Sequence, residues 1–201
     1  MMRTLMADIK SAAEIAQEKL KEIESATDEE RLRWKYVPEG EKLAAKYLKQ
    51  NMNLTAELAK YEKKVLGYIK EGASEILVRN INLPRNDLAR KTNKKTMEGL
   101  KTLKDDKVGV ENIFSQIRNA FKHYAEQGEQ QRKQAYASLK TEFEAKVKQA
   151  MQQQLGTVVG FNVDVERQPQ FQEEWRRLQI QLDSQYLRLL DEYKQELLAS
   201  A

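Results

Sequence analysis

The chain of 201 residues has no cysteine, one histidine, three prolines and eight glycines. Without thiols it has no disulfide framework, no thiolate zinc site and no cysteine nucleophile. The single imidazole, His123, excludes a triad that needs a second catalytic histidine. A di-iron helical bundle draws on two Glu-x-x-His pairs and two further carboxylates. Here one histidine is followed three residues later by Glu126, the reverse order, so His123 reads as a packing or surface residue beside Phe121 and Tyr124. Only two copies of the chain could rebuild such a centre, and a small metal-dependent helical enzyme is the weakest of the functional expectations.

Long apolar runs are missing as well. The longest uncharged stretch lies around Met151–Val163 and contains three consecutive glutamines. A bilayer span needs about 20 mostly apolar residues. Near the N-terminus, Asp8, Lys10 and Glu14 stand where a signal peptide would carry its apolar segment. The expectation is a cytoplasmic protein with no membrane span. No glycine-rich phosphate loop and no Gly-x-Ser-x-Gly elbow is present, and no cofactor is expected. Adjacent acids such as Glu29/Glu30, Asp105/Asp106, Glu173/Glu174 and Asp191/Glu192 read as solvated helix faces, because a third of the chain is charged.

What the chain has in quantity is helix formers. Alanine, glutamate, leucine, lysine and arginine supply 99 of the 201 residues. With so few breakers, that is the composition of long helices and coiled coils. Leucine, isoleucine, valine and phenylalanine together number 46, which makes a thin core, and the net charge is only +4. Narrow contact stripes with wide solvated faces are the expected result.

The periodicity follows suit. Leu5, Ile9, Ala12, Ala16, Leu20 and Ile23 step by threes and fours and predict a helix over 2–26. Thr27 and Glu30 form a capping box for a second, short helix. Pro38 should end or kink it and open another. Leu54, Leu58, Tyr61, Val65, Tyr68, Gly72 and Ile76 predict one helix to about Arg79, with Gly67 and Gly72 permitting close packing. The run 80–86 is the clearest break, and Arg85-Asn86-Asp87 offers caps for a polar, poorly amphipathic helix to Lys104. Val110, Phe114, Ile117, Phe121 and Tyr124 begin a stripe that Ala135, Leu139, Phe143, Val147 and Met151 resume. Between them, 125–134 has no large apolar residue. One long helix with an exposed waist, or two helices meeting at Gly128, would give this pattern; the absence of proline or Asn-Gly favours one.

Beyond Gly156 the period changes. Val159, Phe161, Val163 and Val165 alternate with small or polar residues, as in a strand or an extended linker. Gln168-Pro169 then opens the best amphipathic helix, with Phe171, Trp175, Leu178, Leu182, Tyr186, Leu189, Tyr193 and Leu197 as a candidate helix interface. Its mean step is about 3.7 residues, longer than a heptad allows, so straight or weakly right-handed packing is expected.

The sequence therefore predicts an all-α fold, an elongated bundle of long amphipathic helices with one short extended or β segment near 158–166. Four segments organise it: an N-terminal helical region (1–79), a basic linker and polar helix (80–107), a long central helix (108–157), and the extended segment with the C-terminal helix (158–201), together one domain. Segment 80–107 holds eight basic residues against four acidic ones. Arg79, Arg85, Arg90, Lys91, Lys94, Lys95, Lys101 and Lys104 are the candidate nucleic-acid contacts. No aromatic in that run could stack on a base. The expected function is non-enzymatic: a structural or scaffolding protein acting through helix–helix association, as a homo-oligomer or with a protein partner. The alternative is a nucleic-acid- or ribosome-associated protein using the basic 79–104 segment.

Overall fold

The computed structural model describes residues 26–50, 52–155 and 164–200. All regular structure among them is helical: α1 (Asp28–Lys49), α2 (Leu54–Leu58), α3 (Lys63–Arg79), α4 (Asp87–Leu103), α5 (Lys107–Leu155), a 3-10 turn (Val165–Arg167) and α6 (Pro169–Ala199). The all-α expectation holds. The expected first helix lies outside the described residues except for its last position, and so does most of the alternating segment. The end of that segment is not a strand. Val165 and Glu166 belong to the 3-10 turn, where Val165 is buried and Glu166 receives a hydrogen bond from Lys140. A chain about to enter α6 at Pro169 gains more from plugging one valine into the core than from staying extended.

The chain divides into two compact units, 1–76 and 77–201. In the first, α1 starts as expected. The Thr27 hydroxyl accepts from the Glu30 amide at 3.2 Å, and the Thr27 amide donates to the Glu30 carboxylate at 2.7 Å. That amide, and the Thr27 hydroxyl donating to the same carboxylate oxygen at 3.0 Å, hold the carboxyl of Glu30 below its ordinary range. Pro38 departs from expectation: it neither ends α1 nor opens a new helix, but sits inside it. Proline deletes the amide bond to the residue four back. Tertiary contact compensates: Gly40 and Gly72 let α1 and α3 cross with backbone nearly touching backbone. A Cβ at Gly72 would fall 2.0 Å from the Val37 carbonyl oxygen, and one at Gly40 would fall 2.2 Å from that of Ile69. Such spacing suits reciprocal Cα–H···O contacts. Leu43, Ala44, Tyr47, Ile69 and Ala73 are buried in the same unit, and Arg33 is ion-paired to Glu71.

The helix expected from Leu54 to Arg79 is broken. After α2, the amides of Lys60 and Tyr61 bond to the carbonyls of Glu57 and Leu58, three residues back, and α3 restarts on the Glu62 carbonyl. The buried stripe then runs Val65, Ile69, Ala73, rotated from the expected Tyr68, Gly72, Ile76 line, of which Tyr68 and Ile76 are half-buried and only Gly72, at the crossing with α1, is buried. Gly67 permits no close contact, since an added Cβ there would meet nothing within 4 Å.

In the second unit, the 80–86 run is a folded loop. Ile81 and Leu83 are buried, and the Asn93 side chain clamps the Asn82 backbone from both sides, accepting from its amide at 2.9 Å and donating to its carbonyl at 2.6 Å. The Asn86 side chain caps α4 by accepting from the Ala89 amide at 2.8 Å. α4 is sharply two-faced, against the expectation of a poorly amphipathic helix. Its inner face is Asn93, Thr96, Met97, Gly99, Leu100 and Leu103, while Leu88 is 74% exposed. Small and amide side chains carried this face, so a scan for large apolar residues passed over it.

α5 is one continuous helix of 49 residues, as favoured. α6 opens with Pro169 in its first turn and packs antiparallel along α5. The order of contacts shows the direction. Tyr124 meets Tyr186, Tyr136 meets both Trp175 and Phe171, and Phe143 meets Phe171, all edge-on.

Candidate functional site: a cation-rimmed groove between two helices

The eight basic residues singled out in the sequence do not form one face. Arg85 is bonded to Asp183 at 2.7 Å, Arg90 to Asp87 at 3.0 Å and Lys101 to Glu111 at 2.6 Å. Lys104 donates to the Ser200 carbonyl, and burial lowers its pKa. Arg79 is exposed, Lys95 is half-buried, and Lys91 and Lys94 are exposed on α4. Three of the eight, Arg90, Lys94 and Lys101, meet at a single feature, a groove of about 530 Å³ between α4 and α5.

The groove is built by helix spacing. Positions 90, 93, 94, 97, 98 and 101 of α4 step by threes and fours and so share a face. From α5 come Glu111, Phe114, Arg118, Phe121, Lys122 and Ala125 on the same rule. Met97, Phe114, Phe121, Ala125 and Pro84 give an apolar floor. The rim carries five cations, Arg90, Lys94, Lys101, Arg118 and Lys122, against two carboxylates, Glu98 and Glu111. Glu111 holds two of those cations, bonding Lys101 at 2.6 Å and Arg118 at 2.7 Å. These bonds, Lys101 first, keep its carboxyl below the ordinary range. Lys94 and Lys122 have no ion-pair partner among the described residues. The lining includes no hydroxyl, thiol or imidazole; it offers apolar contact and positive charge.

The sequence reading missed Arg118 and Lys122. The signal was present, since each lies one residue past a member of the Phe114/Ile117/Phe121 stripe, at its edge. The candidate interface stripe of α6 is turned onto α5 of the same chain. Phe171 and Leu197 are buried there, and Trp175, Leu178, Leu182, Tyr186, Leu189 and Tyr193 are half-buried. His123 bonds the Tyr186 hydroxyl at 2.8 Å through Nδ1.

Among the described residues no helix is long and apolar enough to cross a membrane. No curated protein and no solved structure matches the chain. One family model does, over residues 55–199, a stretch that contains both walls of the groove. That match covers well over half of the sequence, and the chain belongs to this family, described as a family of unknown function (DUF6657).

Proposed function

We propose that this protein is a helical interaction module whose α4/α5 groove takes an acidic amphipathic helix from a protein partner. The observation that carries the reading is the pairing of an apolar floor with an excess of positive charge on the rim. A helix laid in a groove presents apolar anchors at i, i+3/i+4 and i+7. Each partner anchor fully buried on the floor, whose accessible apolar part is Phe121 and Ala125 above the buried Met97 and Phe114, is worth about 1.5–3 kcal/mol before the costs of association. Lys94 and Lys122 set the sign of the partner, because rim charges govern encounter rate and discrimination more than affinity. A nucleic-acid role has less support: Arg85, Arg90, Lys101 and Lys104 each have a partner within the protein.

The test uses a fluorescent helical peptide with Leu anchors at i, i+4 and i+7 and Glu flanks, read by anisotropy on the full chain. Binding should weaken at least about tenfold in Phe121→Ala and in the double variant Lys94→Glu/Lys122→Glu. Lys133→Glu, whose ion pair with Glu129 lies on an exposed stretch of α5, should leave it unchanged. Equal binding of a Lys-flanked peptide, no binding of either, or tighter retention of a single-stranded oligonucleotide would overturn the reading. So would a wild-type dimer in sedimentation equilibrium that Phe121→Glu splits, which would seat a second copy in the groove.

A further inference from the structure

The second unit holds another concavity, of about 410 Å³, where the 80–86 loop, α5 and α6 come together. Its lining is more polar than that of the groove. Three guanidiniums line it, each from a different element: Arg85 from the loop, Arg132 from α5 and Arg176 from α6. The single carboxylate among them is Asp183, whose residue is 5% exposed.

Asp183 organises two of the three cations. Its Oδ2 accepts from Arg85 Nη2 at 2.7 Å and lies 3.4 Å from the Tyr124 hydroxyl. Its Oδ1 faces Arg132 Nη1 at 3.6 Å, an ion pair without a hydrogen bond. Arg132 is fixed from two further directions. Its guanidinium stacks 4.2 Å from the centre of the Tyr124 ring, and Nη2 donates to the Tyr124 carbonyl at 3.3 Å. Gly128 leaves room for it, since a Cβ there would stand 3.1 Å from Arg132 Nη1. Arg176 has no ion-pair partner among the described residues. One carboxylate against three guanidiniums leaves two positive charges in a concave site. A guanidinium carries five donors, and Asp183 engages only part of what Arg85 and Arg132 offer.

We propose that this pocket binds a small phosphorylated molecule, with its dianionic phosphate held among Arg176, Arg132 and Arg85. Planar forks match phosphate oxygens two at a time. The charge balance selects a dianion, which neutralises the excess that a single carboxylate ligand would only halve. At the edge, Ile180 is 59% exposed and lies beside Gln179, an apolar shelf and an amide for the body of the ligand. The pocket shares no lining residue with the α4/α5 groove, so this assignment stands or falls apart from the partner reading.

The experiment is calorimetric titration of the full chain with inorganic phosphate, glycerol phosphate and acetate at fixed ionic strength. Both phosphates should bind with Kd of about 1 mM or tighter, and acetate at least about tenfold more weakly. Arg176→Gln should lose at least about tenfold in phosphate affinity while keeping the wild-type circular dichroism and Tm, because its guanidinium is bonded to no other side chain among the described residues. Arg132→Lys, which keeps the charge and loses the fork, should weaken phosphate as well. No phosphate binding, equal affinity for acetate, or an Arg176→Gln variant that binds like wild type would overturn the proposal. Displacement of phosphate by a single-stranded oligonucleotide whose affinity grows with length would also overturn it, making the pocket part of a nucleic-acid track.

Discussion

Two glycines in one helix, Gly67 and Gly72, should respond to alanine with opposite signs. Both lie in α3, and both gain about 0.5–1 kcal/mol of helix stability from a methyl group if nothing else changes. At Gly67 nothing else does change, because the added Cβ meets open space. At Gly72 it meets the Val37 carbonyl oxygen at 2.0 Å and its carbon at 2.9 Å. These are backbone atoms of α1 and cannot rotate away. Ordinary contact begins at 3.4 Å, so the two helices must separate by about 1.4 Å, and a gap of even about 0.5–1 Å forfeits roughly a quarter to a half of each dispersion contact it opens. The contacts at risk belong to Leu43, Ala44, Ile69 and Ala73, all buried. Overpacking of this kind costs about 1–3 kcal/mol, and a backbone obstacle puts Gly72→Ala at the upper end, net of its helix gain. For a unit this small, 1 kcal/mol moves Tm by about 4–8 °C. The two tryptophans make the measurement specific: Trp34 lies in α1, and Trp175 lies in α6. In a Trp175→Phe background, urea denaturation followed by Trp34 fluorescence reports the first unit. Gly67→Ala should raise the midpoint and Gly72→Ala should lower it. A Gly72→Ala protein at least as stable as wild type would refute the close crossing.

Two further predictions concern charge. Asp183→Ala leaves Arg132 and Arg85 without their carboxylate; breaking a buried pair costs about 3–5 kcal/mol, and the 57% exposure of the Arg85 side chain discounts this to about 1–3 kcal/mol. Urea denaturation of the variant at neutral pH checks it, and a loss below about 0.5 kcal/mol would mean that the cluster is solvent-screened throughout. Lowered carboxyl pKa values at Glu30, Glu111 and Glu166 fix the acid response. The unfolded chain takes up protons first, so this stability is fully present above the ordinary value of 4.5 and is lost as pH falls through the lowered folded values. Midpoints measured between neutral pH and about pH 3 should therefore drop, Glu111→Gln should flatten the slope, and an unchanged midpoint would count against the ion pairs.

Local chemistry was legible in the sequence wherever one short segment decides the outcome. The Thr27/Glu30 box, the Asn86 cap, the entry of α6 at Pro169 and the continuity of α5 all follow from neighbours within four residues. What could not be read depends on elements far apart in sequence. Pro38 stays inside α1 in a unit where α3 offers Gly72 to the Val37 carbonyl. The inner face of α4 is built on Asn93, an amide whose worth lies in clamping Asn82. The groove draws half its lining from α4 and half from α5, so a list of cations from one segment found Arg90, Lys94 and Lys101 and missed Arg118 and Lys122.

The waist of α5 joins these threads. Segment 125–134 carries no large apolar residue, and the stripe of α6 is interrupted by one buried acid, Asp183. In the antiparallel pair the two interruptions face each other: Asp183 meets Arg132 across the interface, and Gly128 makes room for the guanidinium. Apolar residues of similar volume there would be as stabilising or more so, since buried ion pairs seldom repay their desolvation. What polarity contributes is uniqueness. The aromatic stripes on either side could slide by one turn, about 5.4 Å, and still pack hydrophobically. Asp183 could not, because a slip would leave it buried away from Arg132 and Arg85. An otherwise repetitive interface is thereby pinned at one register. The same register brings Arg176 beside two guanidiniums that Asp183 already serves, which is how a device for aligning helices comes to leave an excess of positive charge in a pocket.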